Sequence, residues 1–222
     1  MNVLVIDVGG TNVKIKITGE DERRSAPSGP EMTAQQMVDT VLELAQAWKF
    51  DVVSIGLPAP VLHGKILHEP KNLGNGWVGF NFETAFSRPV KVMNDAAMQA
   101  LGSYDGGRML FLGLGTGLGS ALIVDNIIQP MELAHLPYKK GKTFEDYVGK
   151  RGLDRLGKKK WRLAVWDVVA RLKMALEPDY VVIGGGNAKK LKDLPSDTQI
   201  CPNQNAFYGG FRMWEAQREV SI

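Results

Sequence analysis

Apolar positions along the 222-residue chain switch between short blocks and longer periodic stripes. Val3, Leu4, Val5 and Ile6 run into Asp7, and beyond Gly9 and Gly10 the residues Val13, Ile15 and Ile17 alternate with polar ones. Period-two alternation after a Gly-Gly turn predicts a hairpin over 3–17. Between 33 and 48, apolar residues recur at 34, 37, 38, 41, 44, 45 and 48, the stripe of an amphipathic helix. Short strands are predicted at 51–55 and 89–93. The first leads into an irregular segment at 56–60, the second directly into a helix at 95–101. Runs at 109–114 and 120–124 read as two strands joined by a glycine loop. Val165, Trp166, Val169, Leu172 and Leu176 mark one side of a helix over 162–176 that Pro178 stops. A strand at 180–183 then ends in Gly184, Gly185 and Gly186, and 207–218 predicts a last helix. The units near 3–17 and 109–124 echo each other, each strand-turn-strand around glycines and a threonine.

Composition narrows the class. Apolar residues make up 44% and charged residues 23%, the balance of a globular protein rather than a disordered one. The length suits one large domain or two small ones. No apolar run approaches the length of a membrane span, and residues 1–8 are too short for a signal-peptide core and contain Asp7. A cytoplasmic protein is expected. The single cysteine, Cys201, excludes an internal disulfide and a multi-thiolate zinc site and reads as a free thiol. A net charge of +3 is too mild to imply nucleic acid. Its distribution is uneven: 139–162 holds ten Lys or Arg against three Asp or Glu, a local net of +7.

Residues 7–14 read Asp-Val-Gly-Gly-Thr-Asn-Val-Lys. A tight turn between strands points backbone N–H groups into one space, and Gly9 and Gly10 let a phosphate come close. Thr11 adds a hydroxyl and Lys14 a cation, and Asp7 suits a magnesium ion held through water. An ordinary Gly-Gly hairpin with Asp7 as turn former accounts for these residues equally well. A second such turn carries Gly115, Thr116 and Gly117. It is not a dinucleotide fingerprint, because Leu118 stands at the third glycine position and strand residues follow. Gly141-Lys-Thr is not a P-loop, because Leu136 stands where the first glycine belongs.

With both turns in view, Asp7-x-Gly-x-Thr resembles the first phosphate motif of the actin, heat-shock chaperone and sugar kinase superfamily. Residues 114–119 resemble its second phosphate motif, and Gly184, Gly185, Gly186 and Asn187 its adenosine motif. Within that superfamily the match is to the ROK family of repressors and bacterial sugar kinases. The segments 159–161, 184–189 and 205–214 look closest to polyphosphate glucokinases. The resemblance implies an α/β, two-lobed actin-like ATPase (RNase H-like) fold with a cleft between the lobes. The expected division is a small α/β lobe at 1–107 and a large α/β lobe at 108–222.

Asn94 and Asp95 lie where a strand becomes a helix, a place that projects side chains into a cleft. Taken alone, Asp95 reads as a helix cap. The resemblance instead makes Asp95 the catalytic base and Asn94 a neighbour that hydrogen-bonds the sugar. Glu132-Leu-Ala-His135 resembles a Glu-x-Gly-His signature for sugar hydroxyls, with Ala134 in place of the usual glycine. Many ROK kinases then carry a zinc-binding cysteine cluster; 136–144 has no cysteine, so zinc is not expected. Glu145 matches the second sugar-binding glutamate, and Asn72 and, less closely, Asn81 resemble further sugar contacts. Loop turn chemistry explains both asparagines as well.

The implied reaction is phosphoryl transfer to glucose or a related hexose, giving glucose 6-phosphate, with Mg2+ as cofactor and polyphosphate and/or ATP as donor. No nucleic-acid or membrane partner is expected, and a homodimer is possible. The alternatives are a ROK-type sugar-sensing regulator and a catalytically silent nucleotide-binding module. Such regulators carry a helix-turn-helix ahead of the first phosphate motif. With Asp7 so near the start, and with Asn94, Asp95, Glu132 and His135 present, the kinase is the expectation.

Overall fold

The apolar block at the start forms β1 (Val3–Val8), which is buried on both faces because apolar side chains alternate up and down the pleat. Leu4, Ile6 and Val8 join one core cluster and Val3 and Val5 another. The structure, a computed structural model, describes residues 1–215. It divides into two units, Met1–Met98 together with the C-terminal helix (Asn205–Arg212) from Ala206 onward, and Gln99–Asn205.

In the first unit β1 is followed by β2 (Asn12–Ile17), β3 (Arg24–Pro27), α1 (Ala34–Leu44) and β4 (Val52–Leu57). A small ribbon of β5 (Val61–Leu62) and β6 (Lys65–Ile66) comes next, then α2 (Phe82–Phe86) and β7 (Val90–Asn94). The sheet order is β3-β2-β1-β4-β7. The hairpin side is antiparallel, whereas β1, β4 and β7 run parallel. Met37, Val38 and Val41 of α1 pack on the face that carries Leu4 and Ile6. On the other face, Phe207 of the C-terminal helix meets Val3 and Val5, and Ser54 Oγ donates to the carbonyl of Gly210 at 2.6 Å.

Helix α1 opens with the Thr33 capping box and ends at Leu44, short of the predicted 48. Arg24 holds this end: its guanidinium donates to the Leu44 carbonyl at 2.7 Å and lies over the Trp48 ring, 4.0 Å from its centroid. A cation on the last carbonyls is a favourable helix end.

The second unit repeats the plan. After α3 (Asp95–Ser103) come β8 (Arg108–Leu114), β9 (Leu118–Val124) and β10 (Ile127–Met131). Then follow α4 (Phe144–Val148), α5 (Lys150–Leu176), β11 (Tyr180–Gly184) and β12 (Thr198–Ile200). The order β10-β9-β8-β11-β12 has the same antiparallel and parallel halves as the first sheet. The echo noted between 3–17 and 109–124 is therefore a repeat of whole sheet topology. Leu110, Leu112 and Leu114 pack against Trp161, Val165, Val168, Val169 and Leu172 of α5.

Helix α5 starts twelve residues before the predicted 162 and is interrupted at Gly157, whose φ of 70° and ψ of 161° are non-helical. The upstream segment lacks an apolar stripe and is held by polar contacts such as Arg155 to the Asp146 carbonyl at 2.7 Å. The C-terminal helix begins at Asn205, two residues before the predicted start, and ends at Arg212. The predicted continuation over 216–218 lies outside the described residues. Cys201 is a buried free thiol, and burial raises its pKa.

Candidate active site

In the first unit the sheet register brings the chemistry to one edge. Asp7 pairs with Gly56, and Gly56 with Met93, so three parallel strands end together just before Asn94 and Asp95. Two strand spacings set Asp7 and the start of α3 about 10 Å apart across the sheet. The carboxyl ends of parallel strands are where open α/β sheets bind ligands. A methyl group on Gly56 would displace the flexible tip of the Met98 side chain and sit in ordinary contact, 3.6 Å, with the Asp95 Cα.

Asp7 is largely withdrawn from water, and that desolvation raises its carboxyl pKa; Lys14 Nζ, 3.4 Å away, works in the opposite direction. The first glycine turn is closed by Gly9 N–H to the Asn12 carbonyl at 3.0 Å. Ser28 braces it, donating from Oγ to the Gly9 carbonyl at 2.5 Å and from N–H to the Thr11 carbonyl at 2.9 Å. Gly9 and Gly10 are not in the left-handed region. Gly10 must be small for another reason: a Cβ there would lie 3.0 Å from the Asn72 Cβ. The fold thus carries Asn72 onto the first turn.

Capping falls to Asn94. Its Oδ1 accepts from Ala96 N at 3.0 Å and Ala97 N at 3.2 Å, and its Nδ2 donates to the Ala59 carbonyl at 3.1 Å. Asp95 Oδ1 also accepts the Ala96 N–H, at 2.8 Å. Asn94 is thereby a structural brace beside Asp95. Asn81 caps α2 through Thr84 N at 2.9 Å, the local role that turn chemistry predicts.

In the second unit Gly115 N–H closes on the Gly117 carbonyl at 3.2 Å, and Lys150 N–H donates to the Thr116 carbonyl at 3.1 Å. The Gly184–Asn187 segment is stitched to this turn. Asn187 donates from its backbone N–H to Leu114 O and from Nδ2 to Gly115 O, both at 2.9 Å. Gly185 has φ of +85°, and a Cβ there would lie 2.5 Å from the Leu114 carbonyl oxygen, so only glycine fits. Lys190 Nζ donates to Asn187 Oδ1. Lys190 was not among the residues the motifs singled out, although its place three residues after Asn187 is a helical spacing that signals contact.

Glu132 precedes a 3-10 turn, Leu133–His135, and both Glu132 and His135 are exposed. Ala134, in the place of a glycine, is 3% exposed, its methyl absorbed by the second core. The loop from 136 to 144 folds back on itself through Tyr138 N–H to Lys142 O at 2.7 Å. Tyr138 Oη donates to Asp167 at 2.5 Å, joined there by Lys139 and Arg171, each at 3.1 Å. These donors hold the Asp167 carboxyl at a pKa of about 2. The loop delivers Thr143, whose capping box with Asp146 starts α4 and places Glu145 in its first turn. Glu145 Oε1 pairs with Arg151 at 3.2 Å, another residue the motifs did not mark.

Among the described residues no three His, Cys, Asp or Glu side chains converge as a metal cage. Asp7 alone fits a magnesium ion, which takes one or two carboxylates and completes its shell with water and substrate phosphates. Its desolvated charge gains from a cation beyond Lys14.

Comparisons with known proteins agree with this architecture. The chain is 27% identical over 210 residues to the polyphosphate glucokinase of Mycobacterium leprae (strain TN), across 83% of this chain and 63% of that protein. It therefore spans less than two thirds of that relative's length. The inorganic polyphosphate/ATP-glucomannokinase of Arthrobacter sp. strain KM superposes with a TM-score of 0.79 at 24% identity, covering 94% of this chain and 96% of that one. A ROK family transcriptional regulator superposes with a TM-score of 0.68 at 14% identity, covering 96% and 80%. These similarities show the two-lobed actin-like ATPase fold. The ROK family pattern matches residues 3–130, more than half of the sequence, and the chain belongs to the ROK family.

Proposed function

We propose that the protein is a sugar kinase that phosphorylates glucose at its 6-hydroxyl. The observation that carries this reading is the alignment of Asp7, the first glycine turn and Asp95 at the carboxyl ends of β1, β4 and β7. Asp95 accepts the proton of the 6-hydroxyl as that oxygen attacks the terminal phosphorus of the donor. The bond from phosphorus to the bridging oxygen breaks, and the shortened donor leaves with that oxygen's electrons. Gly9, Gly10 and Thr11 with Lys14, and Gly115, Thr116 and Gly117, hold donor phosphates. Asn72, Glu132, His135 and Glu145 receive sugar hydroxyls. Asn94 fixes the start of α3, and the second hydrogen on its Nδ2 can still be donated to the sugar. A magnesium ion associated with Asp7 would supply charge neutralisation on the phosphates.

Two donors are compatible with the site. The Gly184–Asn187 segment supports a nucleotide. Inorganic polyphosphate is supported by Lys158, Lys159 and Lys160, which open the helical segment after Gly157. Cations at that positive helix end are unfavourable unless an anion relieves them, and none of the three has an ion-pair partner among the described residues. By contrast Lys139, Lys150 and Arg151 are already paired with carboxylates. A coupled glucose 6-phosphate assay with ATP and with polyphosphate, each with magnesium, tests the function. No product with either donor ends the kinase reading. The sugar-sensing alternative shares this fold, and calorimetric glucose binding without turnover would support it.

A further inference from the structure

Glu145 lies on the second glycine turn. Its Oε2 accepts the Leu118 N–H at 3.4 Å. A methyl group on Gly117 would overlap that same oxygen and come within 3.1 Å of the carboxyl carbon. The backbone makes the approach possible. A Cβ on Gly149 would sit 2.9 Å from the Thr116 carbonyl oxygen and 3.3 Å from the Gly117 Cα, so the α4–α5 junction closes on the turn because Gly149 lacks a side chain. The other carboxyl oxygen is held by Arg151, whose side chain is 69% exposed. An open glycine turn offers its N–H groups to anions, and here an internal carboxylate has taken one of them.

We infer that Glu145 is a resident anion on the phosphate turn, which the donor must displace and which the sugar draws away. The inference rests on the proposed reading of 115–117 as a donor turn and of Glu145 as an acceptor for a sugar hydroxyl. Without sugar, an incoming phosphate meets a like charge and an occupied N–H. When a sugar hydroxyl donates to Glu145, the carboxylate leaves Leu118 and the turn opens. Sugar and donor then bind with positive coupling, and the coupling is reciprocal. Free donor binds weakly, which limits phosphoryl transfer to water when no sugar is present.

The test is calorimetric titration of the full chain with inorganic tripolyphosphate at fixed magnesium. Glu145→Gln keeps the side-chain shape and an acceptor oxygen while removing the charge. It should tighten tripolyphosphate about fivefold or more, the scale of one unit-charge repulsion at contact distance. Asp154→Asn removes a nearby exposed carboxylate, paired with Lys150, and should leave the affinity unchanged. Saturating glucose should tighten tripolyphosphate in the unmodified chain and have no such effect in Glu145→Gln. In the absence of glucose, equal tightening by Glu145→Gln and Asp154→Asn, or no tightening by Glu145→Gln, overturns the inference while leaving the donor turn standing. An affinity in the unmodified chain that is indifferent to glucose removes the coupling. If no form binds tripolyphosphate, the reading of 115–117 as a donor turn itself fails.

Discussion

Asn187 donates from its side-chain amide to the carbonyl of Gly115 at 2.9 Å, while its own Oδ1 accepts from Lys190. Both polar ends of this side chain are spent inside the second unit, so Asn187 braces the second glycine turn. Asn187→Ala leaves a turn carbonyl without its partner, a loss of about 1–2 kcal/mol. Catalytic efficiency should fall about tenfold with ATP and with polyphosphate alike. A loss confined to ATP would instead make Asn187 a nucleotide contact.

The base assignment predicts a separation of binding from turnover. Asp95→Asn preserves the shape of the α3 start, which Asn94 caps independently. Glucose binding by calorimetry should persist, and turnover should drop by roughly two orders of magnitude or more. Turnover close to that of the unmodified chain would remove Asp95 from the reaction.

Asp7 predicts opposite effects on stability and activity. Burial raises its pKa above the ordinary 3.8, so the folded state favours the protonated acid. That favourable contribution is complete below 3.8 and is lost as pH rises through the higher folded value. At pH 7 the ionised, desolvated carboxylate therefore costs stability. Asp7→Asn should melt at or above the temperature of the unmodified chain at pH 7, with the difference shrinking as pH falls toward 4. The same variant should lose magnesium-dependent turnover. A lower melting temperature at pH 7 would mean that the Lys14 pair outweighs the desolvation.

Changing Lys158, Lys159 and Lys160 together to Ala should reduce activity with polyphosphate several-fold and leave ATP nearly untouched. The polyphosphate KM of the unmodified chain should rise steeply with salt, because each neutralised phosphate releases counterions. A parallel loss with both donors would assign these lysines to the fold rather than to a polyanion. Thermal stability should not fall, since the three cations open a helical segment at its positive end.

What the sequence determined by itself was local. The 3–17 hairpin, the α1 stripe, the two Gly/Thr turns and the strand-to-helix junction at Asn94–Asp95 are contiguous patterns. Periods of 2 and 3.6 residues register which face of a short segment is buried, whatever it packs against. Strands β3, β10 and β12 escaped this reading because none of their residues is buried, which leaves no apolar alternation to read. The first half of α5 escaped it because polar contacts hold it where a stripe is missing. Tertiary structure alone decided which polar groups are spent and which turns are crowded. Asn72 meets Gly10 from sixty-two residues away, Glu145 reaches Gly117 through the loop clasped by Tyr138 and Asp167, and Asn94 takes the cap that Asp95 was equally suited to provide. A hydrogen-bonding side chain takes the partner that packing brings within about 3 Å, and for groups this distant in sequence the assembled sheets set that partner.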